Sequence, residues 1–242
     1  MSQITDIDTP KAPNRRRRWI VGVVAALLAT AIGVAVGLAT SHSSTAAHPT
    51  TTTIPNGAGG PAGGGSNARS APAAGGAVGT VDALSTSGFT MTTSAGQKVT
   101  VDETSSTAYQ KGTSPSSASA IAAGQNVLAL GTTNGTTITA TQVIIQPPVV
   151  AATGTVVPFQ RGAPTVSKQV GQIPAGYNQG SGTIVSGTTA NRATEAALAA
   201  YPGGVVDRVV ALSGGDFNVH YIGVNWPHHI FVDQNFAVVG AL

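Results

Sequence analysis

The sequence predicts a single transmembrane helix followed by two small extracytoplasmic domains, first a β-barrel and then an α+β domain. Three observations predict this fold class. Four arginines precede a long uncharged apolar run, short β-branched segments separated by turn residues fill the middle of the sequence, and a helical alanine pattern precedes alternating strands near the end. The predicted organisation is a cytoplasmic basic tail (1–18), a transmembrane helix (19–40), a disordered Ser/Thr/Pro/Gly stalk (41–75), a small β-barrel domain (76–146), a Pro/Gly-rich connection (147–187) and an α+β domain (188–242).

The predicted membrane anchor rests on the arginines at positions 15–18, on Trp19 and on the apolar run 20–40. About 20 helical residues, each rising ~1.5 Å, span the ~30 Å hydrocarbon core of a bilayer. Basic flanks of a membrane helix stay cytoplasmic, and tryptophan favours the membrane–water interface. Residues 41–242 are therefore expected outside the cell membrane. The lipid bilayer is the expected partner of residues 19–40. Two alternatives remain open, a cleaved signal peptide with a small-residue site at Thr45-Ala46-Ala47 and a twin-arginine export signal around positions 17–20.

The charge of the protein is concentrated in its N-terminal tail. The formal net charge is +3, and residues 1–40 account for it, so the outer part is neutral overall. A neutral exterior provides no positive electrostatic potential that would attract the phosphate backbone of a nucleic acid. No nucleic-acid partner is therefore predicted. The sequence has no cysteine, which excludes disulfides and thiolate chemistry.

The β-barrel is predicted from short β-branched segments at 78–84, 89–93, 97–102, 126–131 and 136–145. A hairpin loop is expected at 94–96, and Asn134-Gly135 is a strong hairpin signal. A Ser/Ala-rich connection with one short helix is expected between positions 104 and 124. Closure into a barrel would remove exposed strand edges.

This stretch resembles a bacterial extracytoplasmic domain family of unknown function that has an OB-like small β-barrel. The resemblance implies a fold and no chemistry. The residues that carry it are Gly79-Thr80-Val81, Phe89-Thr90-Met91-Thr92, Gly96, Val99-Thr100-Val101, Gly124-Gln125-Asn126-Val127, Gly131 and Ile138-Thr139-Ala140.

The last domain is predicted to be one helix on an antiparallel sheet. Small and apolar residues recur at helical spacing over 191–201, and Pro202-Gly203-Gly204 ends the helix. Strands are then expected at 205–212, 217–224, 230–233 and 236–239, which gives an α+β layer.

Several short motifs of this domain form a pattern, namely Tyr201-Pro202-Gly203-Gly204, Val205-Val206-Asp207-Arg208-Val209, Phe217-Asn218-Val219-His220, Phe231-Val232-Asp233 and Phe236. With these motifs the domain resembles the PepSY domain family. The resemblance implies that it binds or restrains a partner protein. The sequence departs from the usual pattern at Trp226-Pro227-His228-His229. The longer stretch from Tyr221 to His229 resembles actinobacterial membrane-anchored proteins of unassigned function.

The candidate partner-binding residues are Tyr221, Trp226, His228 and His229. Aromatic side chains on a Pro-containing turn are typical anchors for a partner, while the alternative is that Trp226 folds over a small core. A metal or acid–base site of His220, His228, His229 and Asp233 is a further hypothesis, in which imidazole and carboxylate would suit zinc. Adjacent histidines on a strand, however, point to opposite faces, so at most one of His228 and His229 would join His220 unless the turn at Pro227 reorients them. No metal or cofactor is predicted.

The sequence contains no nucleophile elbow, phosphate loop or dinucleotide fingerprint, and no enzyme is predicted. The predicted function is a membrane-anchored extracytoplasmic binding or regulatory protein that engages an envelope protein partner through its C-terminal module. The alternatives are a structural, wall-associated protein that contacts glycan and a metal-dependent hydrolase. The oligomeric state and the packing between the two outer domains are left open.

Overall fold

The structure is a computed structural model in which residues 71–147, 154–162 and 168–242 are described. The predicted tail, the predicted transmembrane helix and residues 41–70 of the predicted stalk lie outside these residues. Within the described ranges, no helix is both long and apolar enough to cross a membrane. All of the described residues belong to one compact unit.

The middle of the protein is built from strands, as the sequence predicts. In sequence order its elements are β1 (Ala73–Ser85), β2 (Gly88–Thr92), β3 (Lys98–Asp102), β4 (Ala108–Lys111), β5 (Ser114–Pro115), a 3₁₀ helix (Ala118–Ala120), β6 (Asn126–Asn134) and β7 (Thr137–Ile145). Asn134-Gly135 joins β6 and β7 as a hairpin, with Gly135 at φ 58°. The expected polar connection between positions 104 and 124 contains β4, β5 and the 3₁₀ helix. β1 begins inside the predicted stalk, because Ala73 to Gly75 pair with β6.

Five of these strands close into a β-barrel. β1 pairs antiparallel with β2 and with β6, β2 pairs antiparallel with β3, and β6 pairs antiparallel with β7. A parallel pairing of β3 with β7 completes the ring. The strand order around the barrel is therefore β1-β2-β3-β7-β6, and the closed barrel is consistent with an OB-like barrel.

The barrel interior is filled by the inward-facing residues of these strands. Its buried members include Phe89, Met91, Val99, Val101, Val127 and Ile138. Burying a side chain of this size stabilises the fold by roughly 1.5–3 kcal/mol. The strands approach closely at Gly88, which has φ +150° and where a Cβ would lie 2.0 Å from the Val101 carbonyl oxygen. Only glycine fits that position.

The C-terminal part of the protein is one helix on an antiparallel sheet. Its elements are β8 (Val157–Pro158), β9 (Val170–Gly171), β10 (Thr183–Ile184), α1 (Gly187–Ala200), β11 (Val205–Ala211), β12 (Phe217–Ile222), β13 (Val224–Trp226), β14 (His229–Val232) and β15 (Val238–Ala241). The sheet runs β11-β12-β14-β15-β9, with β10 also on β11, and β13 pairs with β8. The helix begins four residues before the predicted start at Asn191.

β1 belongs to the barrel and also to the C-terminal sheet. Gly76 pairs with Val206 and Ala77 pairs with Val205, both antiparallel. Gly75 makes this approach possible, because a Cβ there would lie 2.0 Å from the Val206 carbonyl oxygen. The barrel and the C-terminal part are therefore joined by strand pairing as well as by side-chain packing.

A second core lies between α1, the C-terminal sheet and the outside of the barrel. α1 contributes Ala190, Ala193, Ala197 and Leu198 at helical spacing, and small side chains allow the helix to approach the strands closely. The barrel contributes Val78, Leu128, Leu130 and Ile144, and the sheet contributes Val206, Val209, Val219, Tyr221, Ile230 and Val232. The packing between the two parts, which the sequence leaves open, is thus a shared hydrophobic core.

Candidate functional site

The two aromatic residues predicted to anchor a partner lie inside this second core. Tyr221 is 0% exposed and Trp226 is 2% exposed. The Trp226 ring packs edge-on against Tyr201 with centroids 5.7 Å apart, and its Nε1 donates to the Lys168 carbonyl oxygen at 2.8 Å. The prediction of an exposed aromatic anchor is therefore wrong for both residues. The core is rich in alanine and valine, and these two large rings fill the space that the small side chains leave.

The predicted histidines lie close to a third histidine instead. The ring of His220 is 6.0 Å from that of His228 and 5.1 Å from that of His229, centroid to centroid. Strand alternation would separate the two neighbouring histidines, but His228 lies in the turn before β14 and only His229 is on the strand. The turn that contains Pro227 therefore brings both rings to the same side.

Each of these three imidazoles has its Nδ1 held by an oxygen atom. His220 Nδ1 donates to Asp207 Oδ1 at 2.6 Å, and His228 Nδ1 donates to the Tyr221 carbonyl oxygen at 3.1 Å. His229 Nδ1 donates to Asn218 Oδ1 at 3.1 Å. Because carboxylate, carbonyl and amide oxygens accept, the Nδ1 atoms carry the protons and Nε2 is the remaining nitrogen on each ring. Among the described residues, no group of three or more His, Asp or Glu side chains is arranged to hold a metal ion.

Two of these histidines line a small polar pocket on the face of the sheet opposite α1. We call it the Arg208 pocket. It has a volume of about 110 Å³ and is lined by Gln179, Gly180, Ser181, Arg208, Val210, Asn218, His220 and His229. The pocket is narrow and partly enclosed, and most of its lining is polar.

Strand register explains why these side chains meet. Arg208 on β11 lies opposite His220 on β12, and His220 lies opposite His229 on β14. The three side chains therefore form one row across three strands. The neighbouring row contains Asn218, which lies opposite Val210. A register shift in β11 between Val206 and Arg208 places Asp207 beside this row.

The loop before α1 covers part of the same face. Tyr177 packs edge-on against Phe231 at 4.8 Å and lies 5.5 Å from the His229 ring. Ser181 closes the following turn, since its backbone N–H donates to the Asn178 carbonyl oxygen at 2.9 Å. This loop forms the outer wall of the pocket.

The charged groups at the pocket are Asp207 and Arg208. Arg208 Nη1 donates to Asp207 Oδ2 at 2.8 Å, which is the one hydrogen bond that the guanidinium makes within the described part of the protein. A guanidinium carries five N–H donors, so donors of this Arg remain for a ligand. Arg208 is only 8% exposed and Asn218 is 6% exposed, so both are largely shielded from bulk water.

Electrostatic surroundings keep one of the imidazoles neutral. Burial, followed by the nearby His220, His228 and Arg208, lowers the pKa of His229 to about 4. Burial also raises the pKa of Tyr177, although Arg208 opposes that shift. At neutral pH the His229 ring is therefore uncharged, and it lies beside the ion pair of Arg208 and Asp207.

Sequence reasoning identified the histidines but not the residues that organise them. Arg208 interrupts the apolar strand β11, and Asn218 and His220 alternate with buried residues on β12. A charged residue within a strand of valines is the signal that points to this face. The shift that brings Asp207 to His220 depends on pairing between strands and has no local signature.

A larger groove of about 570 Å³ lies where the barrel meets the C-terminal part. Its lining includes Val78, Thr80, Thr92, Thr155 and Pro202, and none of its lining residues is charged.

Comparison with protein families, curated proteins and solved structures finds no match for this protein.

Proposed function

We propose that this protein is a membrane-anchored extracytoplasmic binding protein that engages an envelope protein partner through its C-terminal module, residues 188–242. In this proposal the middle domain is an OB-like barrel, the C-terminal module is PepSY-like, and both lie outside the membrane. The proposal assigns the protein to recognition and regulation, with no catalytic step.

The proposed location is supported by the basic run at positions 15–18 followed by the apolar run 20–40. The proposed OB-like barrel is supported by the strand order β1-β2-β3-β7-β6 with its single parallel pair. The PepSY-like assignment is supported by α1 packed on an antiparallel sheet.

The observation that carries the binding role is the Arg208 pocket. Arg208 is largely buried, and its guanidinium makes one hydrogen bond to the described residues, so N–H donors are left for a partner. Here the guanidinium is held beside a small opening by Asp207, and the sheet fixes the groups around it. Such a preorganised polar pocket suits recognition of one polar group on another molecule.

The partner is tested by site-specific photo-crosslinking of the full-length protein in cells. A photo-reactive amino acid at Gln179, which is exposed at the pocket rim, should capture one envelope protein. The same amino acid at Lys111, which is exposed on the barrel, is the matched control and should not capture it. No enriched protein at Gln179, or equal capture at both positions, would count against the proposal.

Point variants are better than truncation for this experiment. Deletion of residues 188–242 would remove β11, which pairs with β1, and would expose the barrel side of the second core. Loss of capture in such a deletion would report unfolding rather than lost recognition.

Membrane orientation is tested by labelling with a membrane-impermeant maleimide. The sequence has no cysteine, so a single Ser2→Cys or Ser213→Cys variant gives one unambiguous position. Ser213 is exposed in the turn between β11 and β12. Intact cells should label the Ser213→Cys variant and should label the Ser2→Cys variant only after lysis. The reverse pattern would refute the orientation.

A further inference from the structure

We propose that the Arg208 pocket binds a carboxylate group, presented by the partner either at its C-terminus or on an acidic side chain. This inference rests on the proposed function, since it names the chemistry by which the C-terminal module would recognise its partner.

The hydrogen-bond donors at the pocket match a carboxylate. The guanidinium of Arg208 uses Nη1 for Asp207, and its remaining N–H groups make no hydrogen bond to the described residues. Two parallel N–H groups on a planar fork fit the two oxygens of a carboxylate better than they fit a single acceptor. His220 lines the same pocket, and its Nδ1 donates to Asp207 Oδ1 at 2.6 Å, so Asp207 orients both this ring and the guanidinium.

The size of the pocket favours a small group. Its volume is about 110 Å³. A water molecule occupies about 30 Å³ of liquid, so the pocket has room for roughly three or four such units. A carboxylate with its single carbon therefore fits in the pocket.

The charge of the pocket favours a monoanion. Asp207 neutralises part of the Arg208 charge, and the low pKa of His229, about 4, leaves that ring uncharged at neutral pH. Arg208 is the one Lys or Arg side chain among the described residues that line the pocket. A dianion such as phosphate would keep an uncompensated charge in a partly buried site.

Asp207 also competes with the ligand for the guanidinium of Arg208. Its Oδ2 already accepts from Arg208 at 2.8 Å, so an incoming carboxylate meets a guanidinium that is partly satisfied. Removing the Asp207 carboxylate should therefore strengthen the binding of a ligand carboxylate to Arg208. Loss of fold alone cannot strengthen binding, which makes this variant a specific test.

The test is a titration of the full-length protein in detergent, followed through the histidine ring resonances by NMR. The probes are N-acetyl-glycyl-glycine, its C-terminal carboxamide, N-acetyl-glutamate N-methylamide and inorganic phosphate. We expect the two carboxylate probes to bind with Kd on the order of 1 mM and the carboxamide to bind at least tenfold more weakly. The ratio between the first and third probes distinguishes a polypeptide terminus from an acidic side group.

Three variants separate the proposal from general effects on the fold. Arg208→Lys keeps the charge but loses the fork, and should weaken carboxylate binding about tenfold. Asp207→Asn should tighten it about threefold. Arg192→Lys is the matched control, because Arg192 lies 4.0 Å over the Phe236 ring and does not line the pocket; it should bind as the wild type does.

Equal binding of the carboxylate and carboxamide probes would overturn the proposal. Tighter binding of phosphate, or no gain in the Asp207→Asn variant, would overturn it as well. If photo-crosslinking from Gln179 captures a partner equally well in the Arg208→Lys variant, the proposed function survives and the carboxylate inference fails. If the carboxylate probes bind as expected but no partner is captured, the pocket assignment stands and the proposed function fails.

Discussion

Replacing Tyr221 by Phe should stabilise the protein. The side chain is 0% exposed, and its hydroxyl is buried with no hydrogen-bond partner in the described residues. Burial, reinforced by the neighbouring Tyr201, raises the pKa of Tyr221 well above 10, so the hydroxyl stays protonated and has no acceptor among the described residues. Burying a hydroxyl without a partner costs roughly 1–3 kcal/mol, while the void left by its removal costs less. The expected net gain is about 1 kcal/mol.

This prediction is measured by thermal and urea unfolding of the wild-type and variant proteins. For a unit of this size, 1 kcal/mol corresponds to a shift of about 2–4 °C in Tm. Tyr201→Phe is the control, because that residue is 8% exposed and its hydroxyl is not one of the buried unpaired atoms, so a change within about 0.5 kcal/mol is expected. A Tyr221→Phe variant that loses more than about 1 kcal/mol would refute the reasoning, since the hydroxyl would then contribute to stability.

Three further predictions concern the same unit. Trp226→Ala should lower the free energy of unfolding by roughly 3–5 kcal/mol, and an unchanged urea midpoint would contradict its core position. Gly75→Ala should unfold or strongly destabilise the protein, because its Cβ would lie 2.0 Å from the Val206 carbonyl oxygen, whereas Gly214→Ala meets open space and should change little; equal effects would refute the close approach. Since the folded pKa of His229, about 4, lies below the unfolded value of 6.5, stability should be complete above pH 6.5 and should fall towards pH 4, by at most about 1.4 kcal/mol per pH unit. A His229→Gln variant should lose this part of the acid sensitivity, and an identical pH profile would argue against it.

The barrel was largely predictable because its signals are local. Alternating β-branched residues and the Asn134-Gly135 turn specify strands and a hairpin without reference to distant parts of the sequence. The start of β1 was not predictable in the same way. Ala73 to Gly75 are small residues that indicate a flexible stalk by composition, yet they pair with β6 because Gly75 and Gly76 allow two strands to approach.

The candidate site shows a different limit. The sequence places His220, His228 and His229 within one short stretch, but the row formed by Arg208, His220 and His229 exists only through strand register. Exposure was also not readable from residue type. Tryptophan is a residue type that is common in binding anchors. Trp226 is nevertheless buried, because the alanine side chains of α1 fill only a small volume of the second core.

The shared sheet gives the barrel a role in the site. β11 carries Arg208 on one face, contributes Val206 and Val209 to the second core on the other, and is paired at its edge with β1. The position of the guanidinium is thus set by the helix, by the sheet and by the barrel together, because a shift of β11 would disturb all three. A pocket of about 110 Å³ can discriminate between small groups only if its walls are held to a fraction of an ångström. The pairing of β11 with β1 ties the strand that carries Arg208 to the closed barrel, and the barrel thereby contributes to the rigidity of the pocket.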